Sequence, residues 1–391
     1  MFGDRWWRVL AISVSVLALG ASVGAAAVAP DRQIVRFAGD GNFCSSQRCG
    51  AGGPAANAHL DFPSGVAADV HGNVYIADGL NQVVWRVSAQ GTISRFAGDG
   101  RLCLPRSTCG NGGPAGDAQL DTPVGVAVDS RGDVYIADQA ANQIRKVSPE
   151  GRISRFAGSF ARCTTAPRCG DGGRAVNARL NRPWGVAADD AGNVYIADYL
   201  DDEVRKVSPG RTISRFAGDG RPCTPQRGCG DGGPARSARL FMPAGVAVDR
   251  AGSVYIADSN DHEVRKVFAN GIVTRFAGTG QVCARVRGCG DGGPAFLATM
   301  ETPFGVAVDG TGNVYVTDFE RNEVRKIDAD GTITRLAGSG RFCSTPGKCG
   351  DGLAAIDANL GNPTGAAVDA AMNVYLADPG DREVRKLSQQ P

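Results

Sequence analysis

Along Gly245 to Gly278 the chain reads GVAVD, SVYIAD, EVRKV and IVTRFAG, four short runs of β-branched and aromatic residues separated by Gly, Asp and Asn. That is the pattern of strands joined by tight turns. In Val254-Tyr255-Ile256-Ala257 every position is apolar, so both faces of the strand must be covered, as in a small sheet held between two like sheets. The unit recurs. Its second cysteines stand at Cys49, Cys109, Cys169, Cys229, Cys289 and Cys349, 60 residues apart throughout, and a fixed period of this length marks a repeat architecture. Six four-stranded antiparallel sheets set around an axis cover every face and leave only short edges. The expectation is an all-β, six-bladed β-propeller, with blades at 63–98, 123–158, 183–218, 243–278, 303–338 and 363–388.

The ends of the chain are out of phase with the unit. The first run, IVRFAG (Ile34 to Gly39), matches a fourth strand, whereas the last copy supplies GAAVD, NVYLAD and EVRKL, the first three strands alone. Strand 34–39 is therefore predicted to complete the last blade and close the ring. The fourth strands are expected to begin at Ile34, Ile93, Ile153, Ile213, Ile272 and Ile333. First and second strands are joined by a D-x-x-G turn in which Gly takes positive φ; Met372 replaces that Gly in the last copy, which predicts a strained or differently shaped turn there. Each long inter-blade connection carries an A-x-x-A-x-L segment read as one or two helical turns, anchored by Leu120, Leu180, Leu240, Met300 or Leu360. A proline then leads into the inner strand.

Residues 1–29 combine MFGDRWWR with an uncharged run from Val9 to Ala29, and Ala25 and Ala27 form an A-x-A site. They read as a signal peptide or a retained N-terminal membrane anchor. Residues 30–391 form the propeller, placed outside the cytoplasm as a secreted or cell-envelope protein. The twelve cysteines agree, falling one pair to a unit: Cys44/Cys49, Cys103/Cys109, Cys163/Cys169, Cys223/Cys229, Cys283/Cys289 and Cys343/Cys349. In an exported chain these read as six local disulfides rather than zinc sites, because each pair lacks a second pair or a histidine nearby. The formal charge of +2 excludes recruitment of nucleic acid or anionic lipid by bulk charge.

The runs GDGGPA, PxGVAVDxxGNVYIAD, EVRKV and TRFAG closely resemble the NHL repeat of secreted bacterial proteins and of the NHL propeller in teneurin-type surface proteins. The resemblance covers all six copies. It implies the propeller fold and a mostly binding or scaffolding role, although relatives include receptor-kinase sensor domains, RNA-binding regulators and an amidating lyase. Ala51 and Asn111 depart from the GDGG aspartate seen at Asp171, Asp231, Asp291 and Asp351. Those aspartates read as turn formers, since a metal role would be incomplete around the ring.

Catalytic chemistry is not legible. His59, His71 and His262 fall in different parts of the unit, and no nucleophile elbow, zinc-protease motif or phosphate loop occurs. No cofactor, metal or catalytic residue is assigned, and the enzymatic alternative is a lyase or hydrolase with a metal in the central channel. The basic residues of the third and fourth strands read as partners of Glu203, Glu263, Glu323 and the turn aspartates, in exposed pairs of little energetic weight. Positions that differ between units mark a candidate ligand face on the cysteine-loop side. Trp184, Tyr199, Phe304 and Phe319, with Asp201, Asp202, His262, Glu320 and Arg321, make an amphipathic patch suited to a protein, peptide or glycan. The competing reading has Trp184 and Phe304 plugging the channel. A monomer is expected, with membrane contact only through the N-terminal segment.

Overall fold

A computed structural model describes residues 32–44, 49–104, 109–163, 169–223, 229–283 and 289–388; the signal or anchor expected at 1–29 lies outside them. Twenty-four strands form six four-stranded antiparallel sheets, five of them from consecutive strands. In blade one these are Pro63–Ala68 (inner), Val74–Asp78, Val83–Val87 and Ile93–Ala97 (outer). The sixth sheet joins both ends of the chain: Ile34–Ala38 lies antiparallel to Glu383–Leu387, with Ile34 opposite Leu387 and Val35 opposite Lys386. The closure read from the repeat phase is what the fold adopts.

The all-apolar second strand is explained by where its residues go. Tyr75 and Ala77 pack with Val126, Val134 and Ile136 of blade two, while Val74 and Ile76 pack with Tyr375 and Ala377 of blade six. Each inter-blade layer repeats this arrangement, with Thr317 in place of the alanine in blade five and Val316 and Leu376 in place of the isoleucine in blades five and six. A Phe of the outer strand stacks edge-on over the Tyr in blades one to four and six, as in Tyr135–Phe156 at 4.9 Å. Full burial of each Val or Ile contributes about 1.5–3 kcal/mol, repeated at six interfaces.

On the axis the packing is backbone on backbone. A methyl group on Gly65, Gly125, Gly185, Gly245, Gly305 or Gly365 would be driven into the carbonyl oxygen of the residue preceding the next such glycine, Gly125 into Trp184 and Gly365 into Ser64. The GVA motif is therefore glycine because neighbouring inner strands touch there.

Three expectations are corrected in detail. The helical turns are single 3-10 turns of three residues, such as Ala115–Asp117, because the next alanine is already extended (Ala118, φ −73°, ψ 156°), and the anchoring Leu120 is fully buried. The fifth outer strand begins at Val273 rather than Ile272, since Val273, opposite Val267, holds the register that Ile213 holds opposite Val207. The last inner strand is only Ala366–Val368; before it, Gly361 and Gly380 approach so closely that a Cβ on either would lie 2.9 Å or less from the other's backbone. Met372 takes φ 63° and keeps the turn its glycine counterparts form, so the strain is borne rather than relieved.

Ile34 is fully buried in the layer between blades five and six. Ile34→Ala is expected to lower the unfolding free energy by about 2–5 kcal/mol, as Ile213→Ala should in blade three. Urea titration measures both, and a near-silent Ile34→Ala would contradict closure.

Candidate functional site

The residues that follow the prolines ring the mouth of the axial channel: Ser64, Val124, Trp184, Ala244, Phe304 and Thr364. With the glycines behind them they line a cavity of about 80 Å³, room for a few water molecules. Its hydroxyls are those of Ser64, which donates to the Val124 carbonyl (3.0 Å), and Thr364, which donates to the Ser64 carbonyl (2.9 Å), and Trp184 brings an indole N–H to the same lining.

Across this mouth the four aromatic candidates come together. Tyr199 meets Trp184 at 5.8 Å, Trp184 meets Phe304 edge-on at 4.9 Å, and Phe304 meets Phe319 at 5.4 Å. Blades three and five are not neighbours; their rings meet because blade four carries only Ala244 at this position. Phe304 is buried and acts as a plug, while Trp184, Tyr199 and Phe319 are half-buried and keep one side to solvent.

The polar candidates are mostly committed elsewhere. Asp202 has φ 53°, and its carboxylate accepts the backbone N–H of Met242 in the next blade (2.8 Å). Gln82, Asn142 and Asn322 make the same bond to Thr122, Arg182 and Asn362 at 2.6–2.9 Å, always 40 residues onward. His262 occupies this position too, with its Nδ1 against the Glu301 carbonyl. These are clips between blades. Asp201 is buried, bonded by Asn181 Nδ2 (3.0 Å) and set beside Cys163 and Cys169; those cysteines are joined to each other, as are the other five pairs, so they offer no thiolate. Arg321 lies 3.7 Å from Glu323, and Glu320 is exposed.

Sequence reading missed a buried charge system. The arginine of EVRKV is buried to within 1% in blades two to six: Arg145, Arg205, Arg265, Arg325 and Arg385. It lies 3.3–3.7 Å from the YIAD aspartate of its own blade in four of them, as Arg205–Asp198 at 3.4 Å. In blades three to six it also holds the GDGG aspartate at 2.6–2.8 Å, as Arg205–Asp171 at 2.7 Å. The turn aspartates are thus tethers as well as turn formers, and the expected ion pairs are interior rather than exposed. The other oxygen of the YIAD aspartate accepts a backbone N–H 17 residues upstream, Asn181 to Asp198 at 2.7 Å. The available signal was one repeat: Ala51, lacking the carboxylate, is matched 34 residues on by Trp85 in place of arginine, whereas Asn111 in the next unit is matched by Arg145.

Burial pushes these carboxyls up, Asp138 and Asp318 to about 6 and Asp378 to about 7. In blade four Phe241 stands where blade three has Asn181, so Asp261 lacks the amide donor that Asp201 has and faces the carboxyl of Asp258. Burial raises its pKa, and burial followed by the Asp261 charge raises that of Asp258; Arg265 is the cation nearest both.

The fold and site define a disulfide-braced six-bladed propeller whose channel mouth is closed by aromatic side chains. The family model of the Teneurin NHL domain matches residues 22–99, 88–168, 156–212, 203–285 and 273–347, and the chain belongs to that family. Teneurin-3 of Mus musculus is 31% identical over 285 residues, covering 66% of this chain and 10% of that protein. Teneurin-1 of Homo sapiens is 32% identical over 248 residues, 59% of this chain and 9% of the relative. The chain thus spans about a tenth of the length of these relatives. Among solved structures, an auxiliary nutrient binding protein of Bacteroides thetaiotaomicron superposes with TM-score 0.61 at 13% identity, over 91% of this chain and 76% of that one. The gluconolactonase of Xanthomonas campestris superposes with TM-score 0.54 at 13% identity, over 92% and 90%. These two share the fold.

Because the folded-state pKa of Asp261 lies above the ordinary 3.8, the native state holds a proton that the unfolded chain releases. Stability is then lost as pH rises through that window. Asp261→Asn should stabilise the protein at pH 8 more than at pH 5 in paired urea titrations; an equal effect at both would contradict the raised Asp261 pKa.

Proposed function

We propose that the chain is a non-enzymatic, extracytoplasmic binding propeller that engages a protein, peptide or glycan on its cysteine-loop face and acts as a monomer. The observation that carries this reading is the aromatic arc Tyr199–Trp184–Phe304–Phe319, which leaves amphipathic rings at a face where buried backing holds them rigid. Rigid, half-buried aromatics supply contact area at low entropic cost and are favoured as binding anchors. Membership of the teneurin NHL family and six local disulfides support placement outside the cytoplasm. Solved neighbours named as a gluconolactonase and a streptogramin B lyase keep the hydrolase or lyase reading as the alternative. The channel speaks against it, since its 80 Å³ would hold little more than water and its two hydroxyls are already bonded to carbonyls.

On glycan and peptide arrays the protein is expected to retain discrete ligands, and Trp184→Ala with Phe319→Ala should weaken them at least tenfold while moving Tm by only a few degrees. Retention unchanged in the double variant, or turnover of a lactone substrate by purified protein, would defeat the reading.

A further inference from the structure

Blade six, the sheet that joins the two ends of the chain, holds more acid than base on its disulfide flank. Four carboxylates converge there: Asp351 of the cysteine loop, Asp378 at the end of the second strand, Asp381 of the turn and Glu383 of the third strand. The last three are fully buried. Two guanidiniums face them. Arg385 lies 2.8 Å from Asp351, 3.3 Å from Asp381 and 3.7 Å from both Asp378 and Glu383. Arg36, from the closing strand Ile34–Ala38, lies 2.7 Å from Glu383 and 3.6 Å from Asp351. The charges around them are engaged elsewhere or exposed. Arg382 turns to Asp61 (3.9 Å) and the Gly41 carbonyl (3.2 Å), Asp40 holds His59 (2.9 Å), and Lys348 is exposed. Cys343 and Cys349, beside Asp381, are joined as a disulfide and add no charge.

Blade five shows the balanced form of the same flank. Arg321 stands where blade six has Asp381 and lies 3.7 Å from Glu323, so Asp291, Asp318 and Glu323 meet three guanidiniums, those of Arg321, Arg325 and Arg335. In blade six two negative charges are left over where water is excluded, and buried carboxyls in that position take up protons. Burial, then the charges of Asp381 and Asp351, push Glu383 up to about 8. Burial, against the Arg385 charge, pushes Asp378 up to about 7. Their ordinary values are 4.5 and 3.8. The closed blade therefore keeps protons that an opened one releases. The stability they confer is whole at acid pH and is lost as pH rises through 7 and 8.

That loss falls on the seam of the ring. In blades one to five the outer strand follows its third strand through a hairpin, whereas Ile34–Ala38 comes from the other end of the sequence and pairs with Glu383–Leu387 without one. Its Arg36 rests directly on Glu383. We propose that this strand is a proton-dependent latch, locked on blade six while the Asp378–Glu383 set holds its protons and loosened from Glu383–Leu387 when alkaline pH removes them. The latch is independent of the reading of the aromatic arc.

Hydrogen exchange of the full-length protein at pH 6 and pH 9, followed by mass spectrometry and scaled for the intrinsic pH dependence of the rates, tests it. Protection of residues 34–38 is expected to fall at least tenfold between the two, and that of 333–337 in the balanced blade five to fall less. Glu383→Gln, which cannot ionise, should remove most of the fall at 34–38. Asp381→Asn, which takes away one of the surplus charges, should reduce it and serves where the first variant does not fold. Equal protection of 34–38 at both pH values, an equal fall at 333–337, or a fall that both variants leave unchanged would each overturn the proposal.

Discussion

The contact between the backbones of neighbouring inner strands holds the molecule at its size. Because the six axial glycines carry no Cβ, each inner strand can rest on the carbonyl of the next, Gly305 on Thr364 and Gly365 on Ser64. That distance brings the Tyr-x-Ala side of one sheet within reach of the Val-x-Ile side of its neighbour. A side chain at any of these points would wedge two blades apart at the narrowest part of the wedge, where close packing leaves no room to relax. The small channel is therefore a by-product of how the blades are held together, and function is left to its rim and flanks.

Away from the axis the blades are tied by polar groups rather than by more apolar surface. A buried arginine reaches from the third strand to the second-strand aspartate and to the cysteine loop, so one guanidinium fixes sheet, loop and disulfide together. Burying such a charge is costly unless it is given partners: blade one, with Ala51 for the loop aspartate, has Trp85 for the arginine, whereas blade two, with Asn111 there, keeps Arg145 on Asp138 and on the Cys109 and Gln119 carbonyls. Clips at Gln82, Asn142, Asp202 and Asn322 then link four of the blades to the next. The units differ most in blade one, where Ala51, Val83 and Trp85 stand in place of the charged set, and around the aromatic arc, and there the symmetric scaffold becomes particular.

Much of the fold could be read from the chain because strand period, repeat length and the phase of the two ends are local or arithmetic properties. Val254 to Ala257 announces a strand covered on both faces whatever surrounds it, and IVRFAG at the start completes the strand set at the end. The half-legible features are those where one sequence pattern serves two environments. Arg205 and Arg215 look alike as basic residues between β-branched neighbours, yet one is sealed in the interior and the other only half-buried. Asp202 and His262 look like exposed polar residues of a ligand face, and their left-handed backbone turns them into the neighbouring blade instead.

The sequence by itself determined the number of blades, their four strands, the pairing of cysteines within each unit and the sharing of the last sheet between both ends, since each follows from periodicity and from residues near one another in the chain. Tertiary structure alone decided that Trp184 touches Phe304 over Ala244, that the turn aspartates hold buried arginines, and that Asp202 clips blade three to blade four. Those outcomes depend on distances between residues tens of positions or whole blades apart, and no local pattern encodes a distance across the ring.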